Sequence, residues 1–195
     1  MQDIILASQS PRRKMLLEWA EIPFDVIVKN TDESYPPGLD FPDIARHIAY
    51  NKAKAVFGHV QEAYHGQLAK RTILAADTIV VLDNRVIGKP ANRAEAISTL
   101  TALSARNHKV ITGVSILHMG GELSFSDTTE VAFHPLSEEQ IVFYVDKYEP
   151  YDKAGAYAIQ EWIGVVGIKS VQGDFYNVMG LPVSRVVQAL RTITQ

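Results

Sequence analysis

The sequence predicts an α/β or α+β domain around a mixed β-sheet. Three observations predict it. Strand-like and helix-like segments are interleaved along the chain. Thr72–Leu82, TILAADTIVVL, is an apolar run of the length and composition of a central strand buried on both faces. Two strand-like runs, Lys109–Met119 and Glu122–Phe133, are joined at Gly120-Gly121 as a hairpin.

Taken in order, Ile4-Ile5-Leu6-Ala7 reads as a short buried strand. Ser10 is a good N-cap and Pro11 suits the first helical position, so Ser10–Ala20 reads as a helix. Leu16, Leu17 and Trp19 are available for burial. Phe24–Val28 is a second strand, and Lys29–Phe41 is a loop marked by Pro36-Pro37-Gly38. Pro42–Phe57 is a helix with Ile44, Ile48, Ala55 and Val56 on its apolar stripe and Arg46 and Lys52 on more polar faces. Gly58–Arg71 is a polar surface connection or a segment into which that helix extends. Thr72–Leu82 follows, then a turn at Asp83-Asn84 and a short strand, Val86–Gly88. Asn92–Leu103 is a helix opened by Asn92 and Glu95, and Ser137–Tyr148 one opened by Ser137 and Gln140. The stripe of the second is Ile141, Tyr144, Val145 and Tyr148. Glu149–Gln160 is dense in small and polar residues. Trp162–Val171 and Phe175–Val178 read as strands, and Gly180-Leu181-Pro182 starts a last helix with Val183, Val186, Val187, Leu190 and Ile193 on its stripe.

A chain of 195 residues without an obvious break reads as one domain over 1–195, or two intimate lobes whose boundaries the sequence does not mark. Its net charge of −3 offers no general attraction to nucleic acid or to an anionic membrane, so any anion site is local. The absence of cysteine excludes disulfides, thiolate metal sites and cysteine nucleophiles. No apolar stretch reaches the ~18 residues of a transmembrane helix. Asp3 and the brevity of the first apolar run argue against a secretory signal, so the expectation is cytoplasmic.

Several enzyme classes drop out. Gly88-Lys89 is followed by proline and lacks a preceding glycine loop, so it is no Walker motif. There is no dinucleotide fingerprint, no serine elbow and no zinc-like histidine spacing. What remains is anion-binding and acidic residues on polar segments. At the first strand-to-helix turn, free backbone N–H groups, the Ser8 and Ser10 hydroxyls, and Arg12 and Arg13 make a candidate phosphate site. Arg12 and Arg13 oppose the helix dipole there, which an anion would offset. Lys52, Lys89 and Lys153 are further phosphate candidates. Asp77 interrupts the most apolar strand and must have a partner, or sit at a strand end or bulge. Glu33, Asp77 and Asp152 are candidates to hold magnesium or orient water. These residues amount to a metal-dependent enzyme acting on a phosphorylated small molecule.

Eight blocks carry a resemblance: LASQSPRR at 6–13, Asp32-Glu33, NKAKAV at 51–56, AADTIVVLDNRVIGKP at 75–90, VITGVSI at 110–116, PLSEEQI at 135–141, DKAGAYAIQ at 152–160 and GLPVS at 180–184. In this order, over nearly the whole chain, they resemble the Maf family of nucleoside triphosphate pyrophosphatases. The resemblance implies an α/β fold with a mixed twisted sheet flanked by helices, in two lobes with a central cleft, similar to inosine triphosphatases. It implies hydrolysis of a nucleoside triphosphate to monophosphate and pyrophosphate with a divalent cation, Mg2+ or Mn2+, as nucleotide-pool house-cleaning. The 152–160 block looks like the branch acting on dTTP and UTP.

By motif position the resemblance makes Asp77 the proton acceptor. Arg12, Thr78 and Gln160 fall on residues associated with substrate choice, and Glu33, Lys52 and Lys89 on further cleft residues. Arg13 becomes supporting charge. Homodimers occur in the family; nucleic acid and membrane are not expected partners. Two rivals stand beside this reading: the 7-methyl-GTP branch, disfavoured by Gln160, and a non-catalytic nucleotide-binding regulator of cell division. Ala105 and Ala158 stand where the family commonly has glycine, which implies altered local backbone rather than lost activity.

Overall fold

The computed structural model describes residues 4–63 and 71–193. Asp3 and positions 64–70 of the connection read as polar surface lie outside the described residues. The sheet has seven strands, β1 (Ile4–Leu6), β2 (Phe24–Val26), β3 (Thr72–Leu82), β4 (Arg85–Ile87), β5 (Asn107–His118), β6 (Gly121–Phe133) and β7 (Ile168–Gln172). Their order is β2-β1-β3-β5-β6-β7, with β4 paired to β3. β1 runs parallel to β2 and β3, Ile5 lying opposite Asp25 and Ile73. β4 is antiparallel to β3, and β7 to β6. The sheet is therefore mixed. Helices α1 (Pro11–Trp19), α2 (Phe41–Ala63), α3 (Arg93–Leu103), α4 (Glu138–Tyr148), α5 (Trp162–Gly167), α6 (Phe175–Met179) and α7 (Val183–Thr192) flank it.

The chain divides into two units. The first takes in Met1–Asp77, Thr112–Asp127 and Gly180–Gln195; the second takes in Thr78–Ile111 and Thr128–Met179. In the first, Ile5, Ala7, Ile73 and Ala75 of the sheet pack with Ala53, Val56 and Val60 of α2. Gly113 of β5 permits a close approach to that helix. A Cβ there would lie 2.2 Å from the Ala45 carbonyl carbon. In the second unit Val80, Val110 and Val131 form a cluster joined by Ile87, Ala154, Ile168 and Val178.

Local chemistry explains several element ends. Ser137 caps α4 with a full capping box, its side chain accepting from Gln140 N–H and Gln140 returning to the Ser137 N–H. Asn92 accepts from Glu95 N–H at 3.0 Å, while the Glu95 carboxylate reaches one residue further back, to Ala91 N–H. Asp83 and Asn84 both hold positive φ, the backbone of a tight two-residue hairpin turn.

The structure corrects the sequence reading in three places. Trp162–Val171 is not one strand: α5 occupies its first half and β7 runs from Ile168 to Gln172. Phe175–Val178 is helical, because the Asp174 carboxylate accepts the Tyr176 N–H and the Asn177 amide donates inward to Val110 O and Thr129 Oγ1. Such short apolar runs fit either period, and partners decide. Trp19 is exposed rather than buried. Ala105 holds a left-handed φ of 58°, a conformation that glycine favours.

His108 gives the second unit a pH-dependent stability. Its ring is buried, lies 2.7 Å from the Tyr157 hydroxyl through Nε2, and stacks on Phe133. Burial lowers its pKa from 6.5 to about 4. The unfolded chain therefore binds the proton first as pH falls. The contribution is fully present above pH 6.5 and is lost progressively down to about 4. At 1.36 kcal/mol per unit it amounts to about 3 kcal/mol. Urea unfolding at pH 7 and at pH 4.5 should show this loss, and His108→Gln should flatten the dependence by that amount. An unchanged slope in the variant would remove His108 from the acid sensitivity.

Candidate active site

In the first unit, β1 delivers Ser8 to the start of α1. The Ser8 hydroxyl accepts from Ser10 N–H at 3.2 Å and from Arg13 Nη1 at 3.1 Å. Arg13 turns inward and its Nε donates to Gly180 O at 2.8 Å. Burial pushes the Arg13 guanidinium below its usual value, opposed by the nearby charges of Asp77 and Glu33. The two arginines of the motif thus differ in surroundings. Arg13 ties the first turn to the segment before α7, while Arg12, half-buried, stands one residue earlier in the helix.

Asp32 and Glu33, adjacent in a loop, are separated by their partners. Asp32 accepts from both the backbone and hydroxyl of Ser34, at 2.9 and 2.6 Å, which holds its carboxyl below the usual value. Glu33 meets Lys52 instead. The Lys52 ammonium, on α2, lies 2.7 Å from Glu33 Oε1 and 2.6 Å from Asp77 Oδ1. Asp77 is buried in the middle of β3, so Lys52 is the partner its burial demands. One ammonium bridges two carboxylates, and the Arg13 guanidinium lies near enough to interact with both. The structure thus joins residues 33, 52 and 77, a set whose spacing gave no hint of contact.

In the second unit, Thr78 is half-buried and follows Asp77 along β3, so the two side chains point to opposite faces. Lys89 is exposed beyond β4, where Gly88 O accepts from Gly155 N–H at 3.2 Å. Lys153 is buried, 2.7 Å from Asp152 Oδ1 and 3.6 Å from Glu161 Oε1. Gln160 is exposed in a turn before α5. The sequence reading missed Glu161, and it took Tyr144 only as part of an apolar stripe. Yet the Tyr144 hydroxyl bonds the Glu161 carboxylate and accepts from Ala158 N–H at 3.2 Å. A buried tyrosine hydroxyl usually finds such a partner, and that was the available signal.

The family model described as Maf-like protein matches residues 3–193. This chain belongs to the Maf family. Among curated Maf relatives, a dTTP/UTP pyrophosphatase of Cytophaga hutchinsonii is 50% identical over 96% of this chain and 83% of that protein. A dTTP/UTP pyrophosphatase of Parabacteroides distasonis is 48% identical over 96% of this chain and 94% of its own. A weaker likeness is to the solved structure of the Staphylococcus aureus Ham1 protein, with a TM-score of 0.42 and 13% identity over 68% of this chain and 72% of that one. Among the described residues, no helix of the Maf chain is long and apolar enough to cross a membrane.

Proposed function

We propose that this chain is a nucleoside triphosphate pyrophosphatase, hydrolysing dTTP and UTP to the monophosphate and pyrophosphate. The observation that carries the reading is the Glu33–Lys52–Asp77 constellation, in a Maf chain whose curated relatives bear that name. Water attacks the α-phosphorus. The Asp77 carboxylate takes its proton, and the bond from the α-phosphorus to the bridging oxygen breaks with pyrophosphate leaving. Arg12 and Lys52 offset the triphosphate charge, with Ser8 and Arg13 shaping the first turn.

The donor set suits a divalent cation. Oxygens of Glu33 and Asp77 converge on one ammonium, so both face one cation-sized point. Among the described residues no group of three or more histidines or acids could hold a metal. Two hard carboxylates completed by water and phosphate oxygens are how Mg2+ is usually held with nucleotides. Glu33 and Asp77 would hold it. When bound, it lowers the charge of the triphosphate and the pKa of the attacking water.

Base choice follows from hydrogen-bond capacity. Uracil and thymine both offer a carbonyl and a ring N–H, which the Gln160 amide can pair once a neighbour such as Thr78 fixes its orientation. Cytosine presents the reverse pattern. A methyl group is worth only about 1–3 kcal/mol in a pocket, so dTTP and UTP are both accepted. Pyrophosphate release should therefore be measured with Mg2+ and a panel of triphosphates. UTP and dTTP should turn over within about 100-fold of each other, with CTP and GTP slower than either. CTP or GTP as fast as UTP would sink the Gln160 pocket. Preference for 7-methyl-GTP would favour the sister branch, and binding without pyrophosphate release would favour the regulator.

A further inference from the structure

Gln160 is exposed, and nothing about an exposed side chain fixes its direction; what fixes its place is the turn that carries it. Glu161 N–H donates to Ala158 O at 3.1 Å, so Ala158-Ile159-Gln160-Glu161 is a hydrogen-bonded four-residue turn with Gln160 third. The Tyr144 hydroxyl touches both ends of it. It accepts the Ala158 N–H at 3.2 Å and donates to the Glu161 carboxylate. A hydroxyl has one proton to give and lone pairs to receive, so both bonds form at once. The tyrosine itself cannot drift: it is fully buried in α4, and its ring stacks on Tyr148 at 4.9 Å between centroids. Lys153 braces the far carboxylate oxygen of Glu161 at 3.6 Å. Beyond the turn, Gly164 N–H returns to Glu161 O at 2.9 Å. α5 packs so closely that a Cβ on Gly164 would sit 1.7 Å from Ile159 O.

We propose that Tyr144 is a positioning residue for pyrimidine choice: its hydroxyl clasps the two ends of the Ala158–Glu161 turn and thereby sets where Gln160 presents its amide. This rests on Gln160 reading the base. Charge-assisted O–H to carboxylate bonds are short and strong, so the clasp is stiff. Removing the hydroxyl leaves the ring packed and frees the turn.

The test compares Tyr144→Phe with Tyr148→Phe, which alters the neighbouring ring but not the clasp. In Tyr144→Phe, amide hydrogen exchange at Ala158 and Glu161 should accelerate at least 10-fold, with none of this in Tyr148→Phe. KM for UTP should rise about 10-fold with kcat within a factor of 3, and the UTP-to-CTP preference should narrow by a similar factor. Gln160→Ala should narrow it too, and the double variant should narrow it no further than Gln160→Ala alone. Unchanged exchange at Ala158 overturns the clasp whatever the substrate is. Faster exchange with an intact UTP-to-CTP ratio, or only a lower melting temperature, shows a purely structural tyrosine and overturns the proposal. A wild-type chain that hydrolyses neither UTP nor dTTP fells the functional reading separately, since exchange needs no substrate.

Discussion

Asp77→Asn should lower kcat about 10²- to 10⁴-fold, the usual worth of general-base assistance, with a much smaller change in KM. The amide keeps the shape of the carboxylate but can neither take a proton nor counter a cation. The fold should persist. Lys52 loses one of its two partners and keeps Glu33 at 2.7 Å, so its ammonium is not stranded. Steady-state kinetics beside a thermal melt separates the two effects. A folded variant with near wild-type turnover would remove Asp77 from the chemistry. A variant that melts far below wild type would show that the Lys52 pair holds the site together before it does anything else.

The second large effect is on stability. Gly113→Ala places a methyl group 2.2 to 2.4 Å from three backbone atoms of Ala45 and Arg46. A flexible side chain could step aside; the backbone of α2 cannot without disturbing Ile44, Ile48 and their neighbours. Overpacking usually costs about 1–3 kcal/mol, and a clash with backbone belongs at or above the top of that range. For a chain of this size that is a fall in Tm of roughly 10 °C. Gly58, half-buried in the same helix, is the control, since a Cβ there meets nothing within 4 Å. Gly58→Ala should stabilise by up to about 1 kcal/mol through helix propensity. Equal Tm values for the two variants would mean that α2 is not pressed against β5.

How much of this was legible in the sequence follows from how local each cause is. Ser137 with Gln140, Asn92 with Glu95, and the Asp83-Asn84 turn act over a few residues and were readable. β3 was readable because burial on both faces leaves a continuous apolar run, and Asp77 stood out against it. The bond from Lys52 to Asp77 was not readable, because it depends on α2 packing beside β3, 25 positions on. Phe175–Met179 was misread because its helix is decided by Asp174 and by the inward bonds of Asn177, which no periodicity records. Arg13 looked like a second phosphate ligand; only its long-range bond to Gly180 O shows its place in the fold.

That bond, and the three-stretch make-up of the first unit, bear on how the chain is made. The second unit is complete once residue 179 has emerged during translation. The first unit waits for its final stretch, and until Gly180 arrives the Arg13 guanidinium lacks that acceptor and stays costly to bury. At roughly 5–20 residues per second, the 167 positions from Arg13 to Gly180 take roughly 8–33 s. The stretch bearing Ser8, Glu33, Lys52 and Asp77 is thus made before the second unit and enclosed after it. Ending the chain before Gly180 would remove the acceptor of the Arg13 guanidinium and leave the first unit without its last stretch.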